Sequence, residues 1–90
     1  MQGEDMITLA DLRKQVREII LDTLQISEDE NPEELSADTV KQWDSLGHIR
    51  LVSQLEERLS LSIPQSQIPD LWHEDAIVDA AARLLNIKDR

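Results

Sequence analysis

The chain has 90 residues, 19 of them acidic and 9 basic, for a formal net charge of −10. A chain this short makes one domain with a small core, burying only about 60% of the surface its unfolded form exposes. The acidity argues against nucleic acid, which asks for a basic patch, and leaves a basic or neutral protein partner, or simple solubility, as its use.

Cysteine is absent. That excludes a disulfide framework, a cysteine-based zinc site and a cysteine nucleophile, so any thiol chemistry must come from a cofactor. No apolar run approaches the ~20 residues of a membrane span. No apolar core follows a basic N-terminus, as a signal peptide would require. A cytoplasmic monomer is expected, with a disordered lead over residues 1–6, a folded domain over 7–87 and a short tail over 88–90.

Thr8-Leu9-Ala10-Asp11 has the form of a capping box with Asp in the Glu place, and Ile7 is positioned as its hydrophobic staple. Leu9, Leu12, Val16, Ile19, Ile20 and Leu24 recur at spacings of three and four, which predicts a first helix over Leu9–Leu24. Its other face carries Arg13, Lys14 and Arg17, read as a solvated face rather than a partner site. Residues 27–42 form a long connection. The segment from Glu28 to Glu34 is too charged to pack and lacks EF-hand spacing. Leu35, Val40 and Trp43 are expected to pin this loop over the helices.

A second helix is predicted over Ser45–Leu59. Asp44 and Ser45 are both good residues for opening it, because their oxygens can accept from the free N–H groups of the first turn. His48, Leu51, Val52, Leu55 and Leu59 make a stripe that persists to its end and is assigned to the core. Leu46, Ile49, Arg50, Ser53, Glu56 and Glu57 make a second stripe, apolar at first and acidic later. It suits a docking surface; the competing reading packs Leu46 and Ile49 under the long loop. Pro64 and Pro69 leave room only for a turn or a short third helix over Gln65–Ile68. Ile77, Ala80, Ala81, Leu84 and Leu85 mark a last helix over Glu74–Asn86, with its start uncertain around Asp75. The expected fold is all-α: a small four-helix bundle of three main helices and one short one, with a long loop between the first two.

The stretch Trp43-Asp44-Ser45-Leu46-Gly47-His48-Ile49, followed by Leu51-Val52, Leu55-Glu56-Glu57 and Leu59, resembles an acyl carrier protein. The resemblance runs over roughly Leu9 to Leu85 in length, helix order and loop placement. In that family an Asp-Ser-Leu signature opens the second helix, and its serine carries phosphopantetheine derived from coenzyme A. The resemblance therefore implies attachment at Ser45, flanked by Asp44 and Leu46, and makes residues 7–87 an acyl carrier domain of the free-standing type. It implies as partners a phosphopantetheinyl transferase, which brings coenzyme A and magnesium, and acyl-loading, acyl-transfer or condensing enzymes. Asp44 would help orient the metal or the transferase. Gly47 would leave room for the arm. Docking would fall on Leu46, Gly47, Ile49, Arg50, Ser53, Glu56 and Glu57.

No catalytic residues and no metal site are expected. Ser45 and His48, three apart on one helix, can touch, but no orienting acid or oxyanion donor set completes a triad. His48 and His73 match no common zinc spacing, and His48 is read as a half-buried helix residue. Fatty-acid carriers usually show acids just after the serine, a pattern that Gly47, His48 and Arg50 interrupt. Peptidyl carriers usually show Gly-Gly-(His/Asp)-Ser-Leu, unlike Gln42-Trp43-Asp44-Ser45-Leu46. A carrier for polyketide or other specialised acyl transfer is preferred over one for housekeeping fatty-acid synthesis. The reading from another class is a non-catalytic helical adaptor in which Ser45 only caps.

Overall fold

The computed structural model describes residues 8–30 and 33–87; the expected lead, the Ile7 staple and the tail lie outside them. Among these residues the regular structure is helical: α1 over Leu9–Thr23, a 3-10 turn over Glu28–Glu30, α2 over Ser45–Leu59, a 3-10 turn over Gln65–Asp70 and α3 over Glu74–Leu84. None of these helices is long and apolar enough to cross a membrane.

α1 starts where the sequence says. The Thr8 hydroxyl accepts from the Asp11 N–H at 3.1 Å and the Asp11 carboxylate accepts from the Thr8 N–H at 3.4 Å, closing the capping box. α1 then packs against both α2 and α3. Leu12, Val16 and Ile20 from α1, Leu51 and Leu55 from α2, Ile77 from α3 and Leu35 from the long loop are the largest fully buried side chains. The predicted core stripe of α2 is right at every position, and so are the loop anchors Leu35, Val40 and Trp43. Fully burying a side chain of this size contributes about 1.5–3 kcal/mol.

The three α-helices stop in the same way. Gln25, Ser60 and Asn86 adopt left-handed backbone with φ of 56°, 54° and 60°. The following N–H in each case reaches back to the helix: Ile26 to the Leu21 carbonyl, Leu61 to Glu56 and Ile87 to Ala82. These are Schellman closures, in which a hydrophobic residue follows the left-handed one. None uses glycine, although the left-handed conformation costs a non-glycine residue about 1–2 kcal/mol. The expected ends of α1 and α3 therefore run one and two residues too far.

Two expectations change and two details are added. The loop segment read as too charged to pack stays exposed at Asp29, Glu30, Glu33 and Glu34, and within it a 3-10 turn forms over Glu28–Glu30, where the Glu30 carboxylate accepts from the Ser27 N–H and the Gln42 amide, each at 3.4 Å. The short third helix is a 3-10 turn extending through Pro69 to Asp70, held by the Gln67 N–H on the Pro64 carbonyl at 2.9 Å and the Leu71 N–H on the Ile68 carbonyl at 3.2 Å, while Pro69 has no N–H to add a bond of its own. α3 is capped by His73, whose Nδ1 accepts from the Ala76 N–H at 3.3 Å, leaving Asp75 in the first turn. The basic face of α1 is only partly solvated. Arg17 pairs with the buried Glu74 at 2.8 Å, and Arg13 pairs with Asp75 at 2.7 Å.

The long loop is thereby stapled to the start of α3. The Glu74 N–H donates to the Leu35 carbonyl at 2.8 Å, the Ala37 N–H donates to the Trp72 carbonyl at 2.9 Å, and Ser36 bridges to His73. These bonds hold Leu35 in the core and fix the path of the chain into α2.

Candidate functional site

The start of α2 divides its labour between two adjacent residues. Asp44 is the N-cap: its backbone is extended and its Oδ1 accepts from the Gly47 N–H at 2.8 Å. Ser45 is the first helical residue and is exposed. Its hydroxyl has no hydrogen-bond partner among the described residues. A serine serving only as a helix cap would occupy the position that Asp44 holds, so the capping duty does not fall on Ser45.

Beside it stand the two exposed large hydrophobics of the described residues, Leu46 at 58% and Ile49 at 65%. They do not pack under the loop. Arg50, Ser53 and Glu57 continue this face outward, all exposed. Glu56 does not project freely with them. It is half-buried, and its Oε2 accepts from the Ile63 N–H at 2.8 Å, so it ties the chain after α2 back to the helix.

Gly47 is buried, and its role differs from the expected one. A Cβ there would lie 2.4 Å from the Gln42 carbonyl oxygen, 3.0 Å from a Leu24 methyl and 3.3 Å from the Asp44 carboxylate. The missing side chain lets the incoming loop backbone lie on the helix. It makes room for the protein's own chain rather than for an attached arm.

His48 is the residue of the site that sequence reasoning understated. It is 4% exposed. Its Nδ1 accepts from the Trp43 indole N–H at 3.0 Å, and its Nε2 stands 2.9 Å from the Ile68 carbonyl. Since an indole can only donate and a carbonyl can only accept, the ring is the neutral tautomer with its proton on Nε2. The Trp72 indole stacks on it at 3.8 Å between centroids, tilted by 8°. His48 thus joins the loop, α2 and the Gln65–Asp70 turn one helical turn from Ser45. Its place in the core stripe with Leu51, Val52, Leu55 and Leu59 pointed inward. The bonds to Trp43 and Ile68 carry no local sequence signal, because they depend on how the two loops fold back.

These contacts bear on the other chemistries. The one acceptor nitrogen of His48 is taken by Trp43, so it is not available as a base for Ser45. His73 Nδ1 is occupied by the Ala76 N–H. No group of three or more His, Cys, Asp or Glu among the described residues is arranged to hold a metal ion.

Two open cavities border the site. One, about 330 Å³, is lined in part by Asp44, Leu46 and Gly47. The other, about 470 Å³, lies between the end of α1 and the exposed face of α2, against Ile49 and Ser53. Comparison with protein-family models, with curated proteins and with solved structures gives no match to this chain.

Proposed function

We propose that this protein is a phosphopantetheine-dependent acyl carrier protein, with the prosthetic arm attached at Ser45. The observation that carries the reading is the exposed, unengaged Ser45 hydroxyl at the first turn of α2, relieved of capping by Asp44. The helical-adaptor reading gave Ser45 no role but a cap, and that role belongs to its neighbour. In the carrier reading the three α-helices and the Gln65–Asp70 turn make up a small four-helix bundle.

A serine hydroxyl is not acidic and needs a base to become a nucleophile. The chain supplies none within its own site, so a separate phosphopantetheinyl transferase with magnesium is the source. Ser45 Oγ would be the nucleophile toward the pantetheine-bearing phosphorus of coenzyme A, with 3′,5′-adenosine bisphosphate as the leaving group and the serine proton passing to the transferase. The free N–H groups at the N-terminus of the 15-residue α2 would favour the negative charge of a phosphodiester there. The second oxygen of Asp44, outside the cap, points to a role in orienting the metal or the transferase. When attached, phosphopantetheine supplies a terminal thiol on which acyl groups are held as thioesters.

Leu46 and Ile49 form the apolar centre of the partner-docking face, with Arg50, Ser53 and Glu57 around it and Glu56 at its margin. The transferase and the acyl-loading, acyl-transfer or condensing enzymes would meet the carrier here. A cation at Arg50 where fatty-acid carriers show an acid favours polyketide or other specialised acyl transfer. The test is intact-mass measurement after incubation with coenzyme A, magnesium and a broad-range transferase. A gain of one phosphopantetheinyl group is expected; an unchanged mass under conditions that modify a known carrier overturns the reading.

A further inference from the structure

His48 breaks the chemistry of its own stripe. The other side chains of the buried face of α2 are aliphatic: Leu51, Val52, Leu55 and Leu59. A leucine at position 48 would fill the same wall and leave nothing to satisfy. A buried imidazole must instead find partners for both ring nitrogens or lose free energy on leaving water. It finds them in the Trp43 N–H at 3.0 Å and the Ile68 carbonyl at 2.9 Å. The chain has two tryptophans and no phenylalanine or tyrosine. Both tryptophans engage this one ring, Trp43 through its N–H and Trp72 by stacking at 3.8 Å.

These links close around the candidate attachment site. Trp43 precedes Ser45 by two residues and His48 follows it by three, so the side-chain bond between them spans the segment that carries the serine. Within that span the His48 N–H donates to the Asp44 carbonyl at 2.7 Å, and the Trp43 N–H of the backbone donates to the Val40 carbonyl at 3.1 Å. The Ser45 hydroxyl makes no hydrogen bond among the described residues, so nothing it touches fixes where its oxygen stands. The path of the backbone fixes it. A fully satisfied buried polar network holds that path to one arrangement, where a purely aliphatic contact would tolerate several.

Resting on the carrier reading, we propose that His48, through its bond to Trp43, is a positioning residue for the transfer of phosphopantetheine to Ser45. Its nitrogens are engaged away from the reacting atoms, and it acts by fixing the chain on both sides of the serine. A misplacement of about 1 Å at a reacting group can cost on the order of a hundredfold in rate. A residue that served the fold alone would leave a different mark. Its loss would lower the share of folded carrier, which raises the apparent KM for the carrier and leaves kcat unchanged.

The experiment measures kcat and KM for the carrier with a broad-range transferase, magnesium and excess coenzyme A. Trp43→Phe removes the N–H and keeps an aromatic ring. His48→Asn keeps an acceptor for Trp43, whereas His48→Gln keeps a donor for Ile68 and gives up that acceptor. Leu55→Ala serves as a variant destabilised in the core without touching the clamp. Trp43→Phe and His48→Gln are expected to lower kcat by about tenfold or more, while His48→Asn retains most of it. Leu55→Ala should keep the wild-type kcat and show only a raised KM. A wild-type kcat in Trp43→Phe, or a change no different in kind from that of Leu55→Ala, overturns the positioning role and leaves the carrier reading intact. If Trp43→Phe does not fold, equal kcat for His48→Asn and His48→Gln overturns it. Failure of wild type to gain the group under conditions that modify a known carrier overturns the carrier reading and this inference with it.

Discussion

The indole N–H of Trp43 donates to Nδ1 of His48 across 3.0 Å in the buried interior. One bond thereby joins the end of the long loop to the first turn of α2, and the opposite ring nitrogen joins that turn to Ile68. Ser45 is held between two residues that cannot move independently. His48→Ala would leave the Trp43 N–H and the Ile68 carbonyl without partners, at about 1–3 kcal/mol for each group that stays buried. His48→Asn keeps an acceptor near the Nδ1 position and should recover part of the loss. Urea denaturation followed by tryptophan fluorescence checks both. Equal midpoints for wild type and His48→Ala would refute the clamp.

Gly47→Ala tests the close approach of loop and helix. Alanine is the better helix former by about 0.8–1 kcal/mol, so propensity alone predicts stabilisation. The added methyl would meet the Gln42 carbonyl at 2.4 Å, and backbone must move to admit it. Overpacking of this kind costs about 1–3 kcal/mol, and the net effect should be destabilisation. A raised denaturation midpoint would show that the loop yields freely.

The two ion pairs between α1 and the start of α3 should differ sharply. Glu74 is buried, with its side chain 8% exposed, and Arg17 is 25% exposed. Removing Arg17 strands a buried charge. Arg17→Ala should fall near the lower end of the ~3–5 kcal/mol typical of broken buried pairs, since Arg17 keeps some contact with water. The Arg13–Asp75 pair is exposed at 48% and 67%, and Arg13→Ala should cost about 0–1 kcal/mol. Thermal or urea unfolding of the two variants gives the comparison. Similar losses would mean that burial of Glu74 does not matter.

Periodicity made the three α-helices legible, and a single capping motif at Thr8–Asp11 fixed the start of the first. Helix ends were harder, because Gln25, Ser60 and Asn86 take left-handed backbone without the glycine that would announce it. The start of α3 at Glu74 was legible, but its cap was not, because histidine is an uncommon cap. At the site, Asp44 and Ser45 looked equally able to cap. Only the extended backbone at Asp44 and its bond to Gly47 separate them. The Arg17–Glu74 pair was illegible, since its members are 57 positions apart in the chain and no local pattern links them.

Ile49 should matter for encounter and not for folding. It is 65% exposed, so Ile49→Gln should leave the unfolding midpoint within about 0.5 kcal/mol of wild type. If it sits at the centre of the docking face, its loss should cost about 1–2 kcal/mol in transferase recognition, a factor of about 5–30 in kcat/KM. Steady-state kinetics with coenzyme A in excess reads the effect. An unchanged kcat/KM would move the docking face elsewhere.

The most direct measurement of the central claim is site-resolved mass spectrometry of wild type and Ser45→Ala after treatment with coenzyme A, magnesium and transferase. The Ser45 side chain makes no hydrogen bond among the described residues, so the alanine variant should keep the helical circular dichroism of wild type. Wild type should gain one phosphopantetheinyl group, with fragmentation assigning it to the peptide containing Ser45, and the alanine variant should gain none. Modification that persists in Ser45→Ala, or that maps to another residue in wild type, would contradict the account.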